Sequence, residues 1–522
     1  MTRPERFDDL QDQGSHLVLA DGSISLPGSS PVLPEHGVAH VHVRADTLED
    51  AVQALADAPG GRLADLFAAV ENGRSLLRTV WALDADGTYV VAETPVDGER
   101  YPPLSPIAPA AFLEECEIYE QFGLRPRTGK PLNRVMLPPH AGLEFPRLGR
   151  PPRVPPREMH APHVVGGHAF EFPYGPVRSA GQESLYYGLV TSGEEVVDLY
   201  LFTWHKHRGV EFRLRGRDPA RALFLVERVE GLSAVANGWA FAAAVEQALE
   251  IVPPPEAGWT RAIALELERL YNHAQAIAAL GQSTGLSVGQ ADGEIAVERL
   301  LRLNAAVFGH RYLFGVVAVG GAAKAPDLDA LRRDLPGALH ELRRLTDALS
   351  RTNSFLDRLE ATGIVTGEQA ARLGLVGPVA RAAGAAIDAR RDHTARPYDR
   401  EPPSPAARVT GDVLARYQVF LGEIEDSARL LSRLADSGPV TAGTRPLPRR
   451  QGSGLGWAES LRGESLAWVA LDGEGCIRRA RLRPASVRNW RAFDDAARSQ
   501  NVFTDIPIIE ASFWLTVAGT AR

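Results

Sequence analysis

Apolar residues recur through much of this chain at the interval of a helix. Ile263, Leu267, Leu270, Ala274 and Ile277 step by alternating fours and threes, which lines one face of a helix and buries it in a bundle. Val413, Tyr417, Phe420, Ile424, Ala428 and Leu431 repeat the pattern. Leu328, Leu331 and Leu335 lead into Pro336, and Leu339, Leu342, Leu345 and Leu349 follow. Proline inside such a stripe predicts a kinked or broken pair of helices. Asp218-Pro219 supplies an N-cap and a proline at the first helical position, predicting a helix through residue 228.

Elsewhere the period shortens to that of strands. Residues 184–190 and 195–202 flank Ser192-Gly193, a hairpin signal. After Gly438, residues 457–461, 465–471 and 477–482 read as strands, and the apolar segment 506–517 as buried. Nearer the N-terminus, residues 47–56 predict a helix carrying Leu48, Val52 and Leu55. Residues 76–83 and 89–93 predict strands around a turn at 84–87, and residues 112–122 an acidic helix stopped by Gly123. A proline-rich run from Pro138-Pro139 to Pro155-Pro156 reads as a semi-rigid linker. The expected class is α+β. A sandwich-like α/β domain spans 1–137, a linker 138–162, and a mainly helical bundle with small antiparallel β elements 163–522.

At 522 residues the chain is long enough for more than one domain. Its net charge of −8 argues against a nucleic-acid partner, because neutralising phosphates takes a basic surface. Arginine alternates with Asp and Glu rather than forming blocks, which reads as a solvated surface. Cys116 and Cys476 are the only cysteines. Thiolate clusters, zinc ribbons and a disulfide framework are therefore excluded, which fits a reducing cytoplasm. Residues 1–14 lack an apolar signal core, and no apolar run reaches eighteen residues; 313–323 is too short to span a bilayer.

His40 and His42 share a strand face, as do His205 and His207, and His160, His163 and His168 cluster after the linker. None has a third ligand in view, so metal binding is not the favoured reading. Gly452, Gly454 and Gly456 are spaced like a nucleotide loop but run into a strand, where such a loop needs a helix.

Several phrases in fixed order carry more. Phe170-Glu171-Phe172-Pro173-Tyr174-Gly175-Pro176-Val177 precedes the hairpin, and His207-Arg208-Gly209-Val210-Glu211 the first helix. Glu268-Arg269-Leu270-Tyr271-Asn272-His273 lies inside the bundle helix, and residues 300–312 run LLRLNAAVFGHRY. Gly377-Pro378-Val379-Ala380-Arg381, Asp388, Arg391-Asp392 and Gly411-Asp412 follow, then ESLRGE at 459–464, Asn489-Trp490 and Asp505-Ile506-Pro507. Over residues 165–522 this order resembles the large subunits of membrane-bound nickel–iron hydrogenases of the formate-hydrogenlyase type (hydrogenases three and four). It is also similar to their homologue, the quinone-site subunit of respiratory complex I. The first domain resembles the smaller peripheral-arm subunit of complex I, through residues 101–106, Glu115, Glu117, Phe122-Gly123 and residues 134–138.

In the hydrogenases a CxxC follows Glu-Arg-Val and a second lies near the end. Here Glu227-Arg228-Val229 precedes Glu230-Gly231-Leu232-Ser233, and Ser512-Phe513-Trp514-Leu515 leads to Thr516 and Gly519. The four metal-ligand positions, Glu230, Ser233, Thr516 and Gly519, thus hold no thiolate, the donor a soft nickel–iron centre requires. The resemblance implies a redox subunit with no metal of its own and no hydrogenase activity. It implies a small iron–sulfur partner, membrane proton-translocating subunits, and a peripheral position on the cytoplasmic face of the inner membrane. The complex I quinone-site histidine and tyrosine map onto Arg178 and Gly231, and Arg208 and Arg381 match a cluster-side and a cavity arginine. These four would line a cavity passing electrons to a quinone or similar acceptor; the alternative is a scaffold or coupling subunit. Glu230 is a proton-relay candidate, against an ion pair with Arg381 or Arg178. Arg208 is either placed beside a partner's cluster or paired with Glu211. Glu268 and Asn272 form a relay or, as favoured, a buried structural network.

Overall fold

A computed structural model of the chain describes residues 15–137 and 169–522, apart from breaks at 20–21, 27–33, 35, 72, 129–131, 133–134, 179–182, 204, 439, 441 and 499. The linker 138–162 and His160, His163 and His168 lie outside the described residues. The chain divides into two compact units, 1–159 with 372–374, and 160–371 with 375–522.

The first unit is built on a four-stranded sheet. Its order is Val38–His42, Thr88–Val96, Arg74–Leu83, Gly61–Glu71, with only the first pair parallel. The helix Leu48–Asp57 buries Leu48, Val52 and Leu55, the residues its spacing selects. Phe112–Phe122 is helical and ends at Gly123, whose φ of 75° is the left-handed cap that glycine allows. Trp81, Leu66 and Val90 lie in the core of this unit.

The second unit is a helical bundle edged by small antiparallel sheets. The long helix Pro255–Ser283 packs against Ser287–Phe308 and Val413–Ser437, and Ser287–Phe308 packs on Leu328–Leu349. The predicted stripe from Ile263 to Ile277 is wholly buried. Asp218 caps Pro219–Val226 by accepting from the Arg221 amide at 3.1 Å.

The sequence reading is corrected in two places. Leu328–Leu349 is one helix running through Pro336, not a broken pair. Pro336 faces solvent while Leu331, Leu335, Leu339 and Leu342 stay buried. The hydrogen bond that proline forfeits therefore falls where water replaces it, and the helix continues with its stripe buried. Arginine, second, is not confined to a solvated surface: Arg269, Arg381, Arg416 and Arg462 are at most 2 % exposed. Each buried guanidinium meets carboxylates or carbonyls inside the bundle.

Gly452, Gly454 and Gly456 lie within the strand Gly452–Ser460. A methyl at each would strike the carbonyls of Ala248, Ala244 and Ala240, successive turns of the helix Ala234–Ala248. These glycines let strand and helix backbones touch. Among the described residues, no helix is long and apolar enough to cross a membrane.

Candidate functional site

The helix Pro219–Val226 runs out at Glu227, and Glu230 adopts an extended conformation before a single 3-10 turn, Gly231–Ser233. That turn closes with the Ser233 amide donating to the Glu230 carbonyl at 2.9 Å, and Ala234–Ala248 begins at once. Ser233 does not cap this helix. Glu268, from the facing helix, accepts the Val235 and Ala236 amides at 2.7 and 3.1 Å. Such a bond set uses the affinity of a helix N-terminus for a carboxylate.

The C-terminal segment comes to the same place. Ile506–Phe513 ends at Trp514, whose φ of 49° turns the chain back. Thr516 then donates its hydroxyl to Glu230 Oε1 at 2.9 Å, and a methyl on Gly519 would collide with that same oxygen. Arg462, from the turn between two strands, donates to Ser233 Oγ at 3.0 Å and to the Trp514 carbonyl at 2.6 Å. Residues 230, 233, 516 and 519 therefore meet, though nearly 290 positions separate the outermost two.

Burial raises the pKa of Glu230 above the ordinary carboxylate range; Arg462 and hydrogen bonds from Thr516 and Ser486 offset this only in part. Two carboxyls on flanking elements behave alike. Burial pushes Glu227 to about 7 against a hydrogen bond from the Gly315 amide. Burial pushes Glu268 to about 8 against its two helix amides.

Around this point the candidates separate. Arg208 donates to the carbonyls of Arg228, Val229 and Ala518 at 3.1, 2.7 and 2.6 Å. It is not the partner of Glu211, which is held by Arg479 and Arg522 at 3.1 and 3.0 Å. Arg178 forms a bidentate bridge to Glu510 at 2.8 and 2.9 Å, and donates to the Glu183 carbonyl. Glu183 in turn accepts the Val517 and Ala518 amides. Arg178 and Arg208 thus brace the 516–519 turn from two sides. At Gly231, Phe314 alone among the described residues beyond its chain neighbours comes within 4 Å of where a side chain would start.

Arg381 belongs elsewhere. Fully buried, it is bound to Glu423 and Glu459 at 2.7 and 2.9 Å, so it closes an ion network apart from Arg178, Arg208 and Gly231. Neither Arg381 nor Arg178 is the expected ion-pair partner of Glu230: Arg381 bonds Glu423 and Glu459, and Arg178 bonds Glu510. Asn272 donates to the carbonyls of Leu232 and Glu268, tying the 230–233 turn to the long helix. The residues missed in the sequence are Arg462, Glu183 and Ser486. Arg462 stood inside a quoted phrase, while nothing local marked the other two.

His40 and His42 are exposed on their strand. Among the described residues, no three His, Cys, Asp or Glu side chains cluster as metal ligands.

Comparison with known proteins fits this geometry. The family described as "Respiratory-chain NADH dehydrogenase, 49 Kd subunit" matches residues 281–448, and "Nickel-dependent hydrogenase" matches 208–277. The carbon monoxide-induced hydrogenase of Rhodospirillum rubrum is 31% identical over 362 residues, 68% of this chain and 99% of that protein. The chain belongs to this family of hydrogenase and complex I large subunits. Formate hydrogenlyase subunit 5 of Escherichia coli is 28% identical over 499 residues, covering 90% of this family member and 87% of the relative. A chain of the membrane-bound sulfane sulfur reductase, an archaeal respiratory membrane complex, shares the fold. It has a TM-score of 0.64 at 22% identity and covers 69% of this chain and all of that one.

For a nickel–iron centre, residues 230, 233, 516 and 519 would offer one carboxylate engaged by Thr516, one serine oxygen engaged by Arg462, the Thr516 hydroxyl and a glycine. Hard oxygens already committed to hydrogen bonds do not fit a soft, low-valent pair of metals.

Proposed function

We propose that the chain is the large peripheral-arm subunit of a membrane-bound oxidoreductase complex of the complex I and hydrogenase-four kind, with no metal centre of its own. One observation carries the reading: positions 230, 233, 516 and 519 meet at one buried point yet supply a carboxylate, two hydroxyls and bare backbone. The family frame is kept and its thiolates are replaced. The names of the relatives, a formate hydrogenlyase subunit and an NADH dehydrogenase family, support membership of such a complex.

On this reading a small iron–sulfur partner delivers electrons, and a quinone or similar acceptor receives them on the open side of Gly231. Membrane proton-translocating subunits complete the assembly, and the chain sits peripherally on the cytoplasmic face of the inner membrane. Glu230 supplies the proton function, since a buried carboxyl whose pKa is raised takes up and releases a proton more readily as charge arrives nearby. Thr516 keeps it oriented through Oε1. The test is quinone-analogue reduction by the purified complex. Gly231→Trp should abolish it and Glu230→Gln should uncouple it from proton movement; full activity in both variants would refute the assignment.

A second reading, a scaffold or coupling subunit without an acceptor, draws on the commitment of Arg178 to Glu510 and of Arg208 to three carbonyls. Under it, Gly231→Trp leaves electron transfer untouched while Arg208→Ala loosens the 516–519 turn and the assembly with it.

A further inference from the structure

Behind the site, five elements press ionised side chains into one enclosed space. The long helix contributes Glu266, Arg269 and His273. The helix Gly377–Ala382 contributes Arg381, and Ala389–Asp392 contributes Arg390 with its cap Asp388. Val413–Ser437 contributes Glu423, and the strand Gly452–Ser460 contributes Glu459.

The charges do not cancel. Glu266, Asp388, Glu423 and Glu459 are at most 1 % exposed, and Arg269, Arg381 and Arg390 at most 3 %. Four carboxylates stand against three guanidiniums, four less three leaving one negative charge. The neighbours that could alter the sum are themselves balanced: Asp426 is paired with Arg429 at 2.6 Å and Asp392 with Arg391 at 2.6 Å. Tyr398 and Ser427 only donate hydroxyls to Glu266. An uncompensated charge in so dry a place is neutralised by taking a proton.

The hydrogen bonds indicate where the proton goes. Glu266 accepts two bonds from Arg390 and two from hydroxyls. Asp388 accepts two from the Arg390 side chain and one from its amide. Glu423 accepts Arg381 and Arg269, each at 2.7 Å, and His273 Nε2 lies 3.3 Å away. Glu459 has one guanidinium bond, from Arg381 at 2.9 Å, and a long bond of 3.2 Å from the Ala389 amide. It is the least supported anion of the four. Inside the network, Arg269 Nε, Arg381 Nη2 and both ring nitrogens of His273 are buried without a hydrogen-bond partner.

We infer that this network is a proton-binding site, holding one exchangeable proton on Glu459 with the His273–Glu423 pair beside it. The electrostatics agree with the geometry. Burial and then Asp388 push Glu459 up to about 7, Arg381 opposing. Burial takes His273 down to about 4 despite Glu423, which leaves the imidazole neutral. Arg381 and Arg269 outweigh burial at Glu423 and hold it well below the carboxylate range. Arg269 also donates to the Ser460 carbonyl, two residues before Arg462. Glu459 thus stands three residues before Arg462, which bonds Ser233, and the inference stands whether or not an acceptor binds at Glu230.

Infrared spectra of the full-length chain near neutral pH test it through the carbonyl stretch of a protonated carboxyl. Glu459→Gln should remove one such band, and wild type should lose the same band as pH rises through about 7. Asp388→Asn, which still caps its helix, removes one negative charge; Glu459 should then ionise and the band vanish although Glu459 is intact. A band that survives Asp388→Asn unchanged would overturn the inference, as would a Glu459→Gln spectrum identical to wild type. Should Glu459→Gln fail to fold, the Asp388→Asn spectrum decides alone.

Discussion

Glu230 and Glu423 are both carboxylates at about 1 % exposure, yet the protein drives them in opposite directions. Glu423 receives two guanidiniums at 2.7 Å and stays ionised. Glu230 receives the hydroxyls of Thr516 and Ser486, feels Arg462 only through space, and is held towards neutrality by burial. Burial alone thus does not determine the state of an acid here; the number of cations in direct contact does. The same bundle contains an ionic region, where two guanidiniums hold Glu423 ionised, and a polar region, where Glu230 meets hydroxyls instead.

The largest effect should come from unbalancing the ionic region. Arg381→Met leaves Glu423 and Glu459 facing each other without their shared cation, and removing one member of a buried pair costs about 3–5 kcal/mol. Urea unfolding of the full-length chain should show that loss, and a change below about 1 kcal/mol would mean the network contributes no such constraint.

At the polar region the sign should reverse. A raised native pKa means that, above the ordinary carboxylate value, the folded state binds more protons than the unfolded one. Stability from Glu230 is therefore present at low pH and is lost as pH rises towards the native pKa. Glu230→Gln keeps an acceptor for Thr516 and cannot ionise. It should match wild type in acid and exceed it in alkali by about 1.4 kcal/mol for each unit of the wild-type shift. A parallel pH profile for the two proteins would show Glu230 to be an ordinary ionised carboxylate. A smaller loss should follow from Gly519→Ala, whose methyl meets Glu230 Oε1; overpacking of this kind costs about 1–3 kcal/mol. It should also shrink in Glu230→Ala, where the colliding carboxylate is gone.

The two regions also differ in how far they could be read from the chain. Helix spacing located the long helix, and the phrases around residues 230 and 516 located both halves of the polar region, because motif position survives the loss of its cysteines. Their contact at Thr516 and Glu230 rests on how the chain returns after Trp514, which no local pattern encodes. The ionic region was legible only in pieces: Arg269, Arg381, Asp388 and Glu459 lie in the ordered phrases, but Glu266, Arg390 and Glu423 carry the mixed charge of a solvated helix face, and only packing turns that face inwards. Arg381 was placed in the wrong region for the same reason. Its motif marks it as special but does not name its partners.

The smallest predicted effect sharpens the contrast between locked and free charge. Arg343 and Glu425 form a bidentate bridge at 2.8 and 2.6 Å, geometrically as good as those of Arg381. Both side chains are about half exposed, however, so water already solvates each charge and salt screens the attraction. Arg343→Ala should change stability by less than about 1 kcal/mol, and raising the salt concentration should remove what remains. The Arg381 loss should be insensitive to salt, because no mobile ion reaches a fully buried pair. If the two variants instead responded alike to salt, contact geometry rather than burial would govern both regions, and the opposite behaviour of Glu230 and Glu423 would need another cause.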